Sequence, residues 1–137
     1  VELLTPDSGD AKSYSLADAV AAGHMSRSME LFRELINDPE NTPVYLLYVL
    51  TGSMNDLYRA RLALDYNHGL PEIMKDFGYS PSVEFRVKNA LSSVRRTDIR
   101  HLRKCLEILA KADIDMKSSG ADPAVILEKA IVEMLAR

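Results

Sequence analysis

The stretch Thr42-Pro43-Val44-Tyr45-Leu46-Leu47-Tyr48-Val49-Leu50 begins a long helical pattern near the middle of the chain. A threonine hydroxyl caps helix starts, and proline is favoured in the first helical turn, so Thr42-Pro43 predicts the start of a helix. Apolar residues recur every three or four positions to about Tyr66, which is long for a globular helix. Gly52 lies inside it, at a cost of about 1 kcal/mol relative to alanine. We therefore expect a bend at Gly52 or a neighbouring helix packed closely against it.

Shorter helices are predicted on both sides of this segment. Before the long segment, a glycine and an Asp-Pro pair predict where helices end. After it, a proline preceded by a capping residue predicts where several helices start. About seven helices with short connections predict an all-α helical bundle, because short loops place neighbouring helices roughly antiparallel. The predicted helices cover residues 16–22, 25–37, 43–66, 71–78, 81–96, 99–117 and 123–135.

The first 14 residues follow no helical pattern and contain Pro6, Ser8, Gly9 and Asp10. We expect residues 1–14 to be a linker or the edge of an upstream domain, and residues 15–137 to form one helical domain. Ser15 followed by an acid three residues later resembles a capping box, which predicts that the first helix starts there.

Composition excludes several classes of protein. Of the 137 residues, 47% are apolar and 27% are charged, which is typical of one globular domain and argues against disorder. One cysteine cannot form an internal disulfide. The sequence has no run of about 18 apolar residues and no signal-peptide pattern, so we expect a cytoplasmic protein without a membrane contact.

The search for catalytic or metal-binding residues finds no motif. His24, His68 and His101 are far apart in the sequence, and none has a second ligand at metal-binding spacing. No glycine-rich phosphate-binding loop is present. His101 precedes Cys105 by one helical turn, which leaves a thiol nucleophile as a hypothesis, although an orienting group and an oxyanion site are missing. We therefore predict no catalytic residue, metal or cofactor.

Charge is distributed unevenly along the chain. Residues 85–104 contain seven basic side chains and one acid, a net charge of +6, whereas the whole chain carries −3 and the remainder therefore −9. This segment predicts either a solvated helix surface or a contact with DNA phosphates or an acidic partner. The candidate contact residues are Arg86, Lys88, Arg95, Arg96, Arg100, Arg103 and Lys104.

Apolar side chains cover more of the long third helix than a single contact with the core would bury, because tyrosines widen its stripe of leucines. A wide stripe is typical of a central bundle helix or of a helix shared with a partner subunit. The candidate subunit-interface residues are Tyr45, Tyr48 and Tyr58 on this helix, with Leu127 and Ile131 on the last one.

In order and spacing, these features resemble the C-terminal domain of the delta subunit of bacterial DNA polymerase III, a clamp-loader subunit. Tyr14-Ser15-Leu16-Ala17-Asp18-Ala19 is similar to the family's entry helix, and residues 29–36 to its second helix. Residues 46–61 match its long third helix, and residues 113–120 its closing Asp-x-x-x-Lys segment. The polar stretch 55–61 departs from the family pattern, as does the strength of the basic segment.

The resemblance implies a collar-like domain that holds clamp-loader subunits together in a ring, in support of sliding-clamp loading during replication. It implies that an AAA+-like module and a small middle domain lie upstream, with Val1–Leu4 at the edge of the latter. Other clamp-loader subunits would be its partners and DNA a further one, while the sliding clamp would contact only the upstream part. The domain itself would catalyse nothing, although its parent complex resembles a DNA-directed DNA polymerase, a nucleotidyltransferase.

One alternative follows from the charge pattern alone. A free-standing helical regulator could bind nucleic acid through residues 85–104, and the affinity of its isolated domain would then depend steeply on salt. The segment offers only Phe85 as an aromatic side chain, so sequence-specific recognition through base stacking is poorly supported.

Overall fold

The computed structural model of the protein describes residues 8–136, which form seven α-helices and no strand. The all-α bundle predicted from helical periodicity is therefore confirmed. Two short 3-10 turns, Pro81–Val83 and Val94–Arg96, flank the fifth helix, where the sequence predicted one continuous helix over 81–96. The helices are α1 (Ser8–Ala22), α2 (Met25–Ile36), α3 (Pro43–Asp65), α4 (Leu70–Asp76), α5 (Glu84–Ser93), α6 (Ile99–Ser118) and α7 (Pro123–Leu135).

The long helix α3 lies at the centre of the bundle and contacts α1, α4, α5, α6 and α7. Its start is capped as predicted, because the Thr42 side-chain oxygen accepts a hydrogen bond from the Tyr45 amide at 3.1 Å. Leu46, Leu50 and Met54 on this helix are at most 1% exposed. A helix with five neighbours buries more than one stripe, which accounts for its leucines and Met54 but not for Tyr45 and Tyr48, which are exposed.

Two local expectations are corrected by the structure. Helix α1 begins at Ser8 rather than after Ser15, and Ser13 is buried within it at 1% exposure. The packing of α1 against α2 and α3 stabilises a helix that continues through Ser15, and this outweighs the tendency of Ser15 to cap a helix start. Residues 1–7 of the predicted linker lie outside the described residues. Of the two explanations for Gly52, the closely packed neighbouring helix is wrong, because a Cβ atom there would meet nothing within 4 Å, and the bend stays a prediction.

Leu127 and Ile131 on α7 are both fully buried in the core of the chain itself. The prediction that they form part of a subunit interface is therefore wrong, because neither side chain reaches the surface. Packing of α7 onto α6, α1 and α3 turns this side of the helix inward. The exposed apolar residues of α7 are Val125 and Val132, at 58% and 42% exposure. Among residues 8–136, no helix is both long enough and apolar enough to span a membrane.

The two sides of α7 should differ sharply in their contribution to stability. Leu127→Ala removes a fully buried side chain and should lower the free energy of unfolding by about 2–5 kcal/mol. Val125→Ala, on the exposed side of the same helix, should change it by no more than about 0.5 kcal/mol. Urea unfolding followed by circular dichroism measures both, and equal losses would contradict the assignment of these sides.

Candidate interaction surfaces

The basic segment 85–104 is divided by the fold into side chains that hold the bundle together and side chains that face solvent. Arg86 belongs to the first group. Its Nε donates to Asp56 Oδ2 at 3.0 Å and its Nη2 to Asp56 Oδ1 at 3.1 Å. The Asp56 side chain is 5% exposed, so this pair joins α3 to α5 inside the structure. Arg86 is therefore engaged in a contact within the bundle, with 29% of its side chain exposed.

Asp56 accepts a third hydrogen bond, which ties in the loop after α4. The Tyr79 hydroxyl donates to Asp56 Oδ1 at 2.5 Å, and Arg59 Nη1 donates to the Tyr79 hydroxyl oxygen at 3.1 Å. The Arg59 guanidinium also lies 5.0 Å from the ring centre of Phe77 and 5.4 Å from that of Tyr79. Sequence reasoning missed this cluster. An aspartate at a core-facing position of α3 is the signal that could have revealed it.

The pKa shifts in this cluster have identifiable causes. Burial raises the pKa of Tyr79 above its usual value, and the hydrogen bond to Asp56 raises it further, because both disfavour the tyrosinate anion. Burial acts to lower the pKa of Arg86, but the hydrogen bonds and charge of Asp56 outweigh it, and the net shift is upward. Both groups therefore keep their protons, as donors to one carboxylate.

The remaining basic residues lie on the surface. Lys88 pairs with Glu84 at 3.1 Å on α5, and Arg103 Nη2 donates to the Tyr58 hydroxyl at 3.4 Å. Arg95, Arg100 and Lys104 are exposed. The Arg96 side chain lies outside what the structure describes. We call Arg95, Arg100 and Lys104 the basic turn, since they surround the junction of α5 and α6.

Arg61 on α3 anchors the basic turn to the bundle. Its Nη1 donates to the main-chain oxygen of Arg95 at 3.0 Å and lies 3.4 Å from that of Val94, while its Nη2 binds Asp65 Oδ1 at 2.7 Å. The bond to Arg95 supplies a partner for a main-chain oxygen at the end of the 3-10 turn, whereas the Val94 oxygen also accepts from the Thr97 amide at 3.0 Å. The sequence analysis did not identify this contact.

A groove lies between α1 and the first half of α3. It has a volume of about 320 Å³, and Tyr14, Tyr45, Tyr48, Gly52 and Ser53 are among the residues that line it. Tyr45 and Tyr48 are 41% and 76% exposed. Two of the three tyrosines predicted for the subunit interface therefore lie on this surface, whereas Tyr58 is half-buried beside Arg103.

The residues considered for catalysis do not converge in a cleft. His101 Nε2 lies 3.7 Å from Cys105 Sγ, but Cys105 is fully buried, so an external substrate cannot reach the thiol in this conformation. Across the described part of the chain, no group of three or more His, Cys, Asp or Glu side chains is arranged to hold a metal ion.

The sequence of this domain matches a known protein family. The family described as the DNA polymerase III delta subunit, C-terminal domain, matches residues 10–134 of this chain. The chain belongs to this family. The resemblance seen in the order of its motifs is thereby confirmed, and the match covers each of the seven helices at least in part.

A curated protein and a solved structure, both from Bacillus subtilis, are similar to this delta C-terminal domain over its full length. The DNA polymerase III subunit delta is 23% identical over 137 residues, which are 38% of its own length. The solved structure of the DNA clamp loader delta protein superposes with a TM-score of 0.83 at 21% identity, with 39% of that chain covered. The chain thus spans about two fifths of the length of these relatives, and the structural likeness at this identity shows the fold.

Removal of Arg86 should destabilise the delta C-terminal domain by leaving a buried carboxylate without its cation. Arg86→Met should lower the free energy of unfolding by about 3 kcal/mol, whereas Lys88→Met, in an exposed pair on the same helix, should cost about 0–1 kcal/mol. The double variant Asp56→Leu with Arg86→Met should recover most of the loss. Chemical denaturation of all variants tests this, and equal effects of the two Met variants would refute it.

Proposed function

We propose that this domain is the collar domain of a clamp-loader delta subunit, which holds that subunit in its complex and so supports the loading of the sliding clamp onto DNA. The observation that carries the proposal is the family match over residues 10–134. The collar-like domain is proposed for residues 15–137 together with the first turns of α1, which begins at Ser8. No chemical step is assigned to the domain, and the nucleotidyltransferase activity would belong to the parent polymerase complex in the cytoplasm.

Exposed apolar side chains on three helices support an assembly role. Interfaces between permanently associated subunits are large and apolar, and aromatic side chains often dominate their binding energy. Companion clamp-loader subunits are the proposed partners of these surfaces, while contact with the sliding clamp is assigned to other parts of the subunit. The exposed apolar residues on these three helices are Val44, Tyr45 and Tyr48 on α3, Ile114 on α6, and Val125 and Val132 on α7; Met25, Tyr66 and Phe77 are exposed elsewhere.

The basic turn is proposed to meet an anionic partner, either the DNA backbone in the central space of the ring or an acidic surface of a neighbouring subunit. Its three described cations are exposed, and Arg61 fixes the main chain that carries them. Of the other cations in the segment, Arg86 is paired with Asp56, and the exposed Arg103 lies beside Tyr58. Contacts of this kind depend on salt, because binding releases counterions.

Charge reversal distinguishes the two partners of the basic turn. If DNA is the partner, Arg95→Glu with Arg100→Glu in the full-length subunit should leave assembly intact. The slope of log DNA affinity against log salt concentration should then become shallower by about two. An acidic neighbouring subunit as partner would instead weaken assembly. The control is Arg33→Glu with Lys75→Glu, two exposed cations on α2 and α4. If neither property changes relative to this control, the basic turn is only a solvated surface.

The tyrosine surface of α3 should contribute to assembly. Tyr48→Ser in the full-length subunit should weaken association with companion subunits about tenfold or more, because truncating an interface aromatic typically costs more than 1 kcal/mol. Tyr66→Ser is the matched control, since Tyr66 is 69% exposed at the other end of the same helix. Analytical ultracentrifugation of the mixed subunits measures the effect, and equal affinities of the two variants would contradict the assignment.

A further inference from the structure

A cleft with a volume of about 490 Å³ lies between the end of α1 and the junction of α5 and α6. Its polar lining residues are His24, Ser92, Ser93, Arg95 and Thr97. Each of these side chains can donate a hydrogen bond, and none of the described residues in the lining is acidic. A wall of donors that includes a guanidinium favours an anion.

Thr97 is the first sign that this cleft binds a ligand. The residue is 8% exposed, and its main-chain amide donates to the Val94 oxygen, whereas its hydroxyl has no hydrogen-bond partner among the described residues. In the same part of the chain, the partnerless side-chain oxygens that are sealed from solvent belong to Ser28 and Ser53, so the Thr97 hydroxyl is open to the cleft that it lines. A largely buried hydroxyl without a partner lowers stability, so a ligand oxygen that accepts from it would gain.

His24 and Arg95 are the second sign, because both present donors that the bundle does not use. The His24 amide donates to the Ala19 oxygen at 2.9 Å, but the exposed His24 ring has no partner in the described part of the chain. The main-chain oxygen of Arg95 accepts from Arg61, whereas the exposed Arg95 guanidinium has no partner among the same residues. Three side chains from three parts of the chain therefore offer unused donors to one cleft.

The charge around the cleft is positive. Two acids adjoin it without lining it: Asp18 accepts from the Ser93 hydroxyl and lines a separate cavity, and Asp98 follows Thr97 at the start of α6. Against them stand the three cations of the basic turn, which are exposed and have no partner among the described residues. An anion in the cleft would therefore be attracted rather than repelled.

The size and the donors of the cleft favour a phosphodiester over a single carboxylate. Its volume lies within the ~300–1,000 Å³ of ordinary ligand sites, so a phosphate can enter together with part of its sugar. Phosphate oxygens in DNA complexes accept from arginine, threonine and serine side chains, which is the donor set found here. None of the described lining residues is aromatic, so the cleft offers no surface on which a base would stack.

We propose that this cleft binds a backbone phosphate of DNA, whose oxygens accept from the Arg95 guanidinium, the Thr97 hydroxyl and the His24 ring. The assignment of the phosphate to DNA rests on the proposed function, in which the basic turn meets an anionic partner, whereas the preference of the cleft for a phosphodiester does not. A phosphate held there would position the strand on the bundle without reading any base.

The first test uses small anions on the 137-residue chain, whose helices bury one core of their own. Dimethyl phosphate should shift the NMR signals of the Thr97 amide and the His24 ring, and acetate at the same concentration should bind about threefold more weakly, since its coplanar oxygens reach fewer donors. Thr97→Val and Arg95→Gln should each weaken dimethyl phosphate binding about threefold or more, the usual cost of one lost hydrogen bond. Arg33→Gln, at an exposed cation of α2, is the control and should change nothing. Because Thr97→Val replaces a partnerless hydroxyl with a methyl group, its unfolding midpoint should not fall, which shows that this variant folds.

The second test uses the full-length subunit and a fluorescent single-stranded oligothymidylate, whose anisotropy is measured over a range of salt concentrations. Arg95→Gln should make the slope of log affinity against log salt concentration shallower by about one, because one fewer cation meets the backbone. Thr97→Val should weaken binding about threefold at an unchanged slope, because a neutral hydroxyl releases no counterion. Arg33→Gln should change neither quantity.

The inference is overturned if dimethyl phosphate shifts none of these signals, or if Thr97→Val binds both probes as the unsubstituted protein does. It is also overturned if acetate binds as well as dimethyl phosphate and the cleft variants weaken subunit assembly, since an acidic neighbouring subunit would then occupy the cleft. If the full-length subunit does not bind the oligothymidylate at all, the DNA part of the proposed function fails and the assignment to DNA with it. The response to dimethyl phosphate then still decides whether the cleft is a phosphate site.

Discussion

The carboxylate of Asp56 lies on the buried side of α3, and a buried carboxylate is stable only when its charge and its lone pairs are satisfied. Arg86 supplies the charge with two hydrogen bonds, and Tyr79 supplies a third. These partners come from α5 and from the loop after α4, so one side chain positions three parts of the bundle. Arg59 extends the cluster to the rings of Phe77 and Tyr79.

This cluster also determines which surfaces remain for partners. Arg86 is paired with Asp56, and exposed cations lie around the junction of α5 and α6, where Arg61 binds the main chain of Val94 and Arg95. Arg86 also lines the tyrosine-lined groove beside α3.

Membership in the delta C-terminal family and an all-α bundle with its apolar groups exposed on several helices are consistent with a role in assembly. A permanent subunit contact needs apolar surface that the monomer does not use, and α3, α6 and α7 each retain some. Specific register needs polar groups placed within such a surface. In this domain, the groove beside α3 combines both properties, since Tyr45 and Tyr48 lie near Ser53.

The sequence by itself determined the helical class, the helix starts at Thr42-Pro43 and Asp122-Pro123, and the family. These features depend on contacts between residues within one helical turn, such as the Asp122 oxygen that accepts from the Ala124 amide at 2.9 Å. Only the tertiary structure decided that Arg86 is paired, that Leu127 is buried and that Gly52 opens onto a groove. Asp56 and Arg86 are 30 residues apart, and local periodicity carries no information about which distant side chain will meet a buried charge. For the same reason Ser15 could carry a capping signal and still lie inside a helix, because packing against α2 and α3 outweighs one local hydrogen bond.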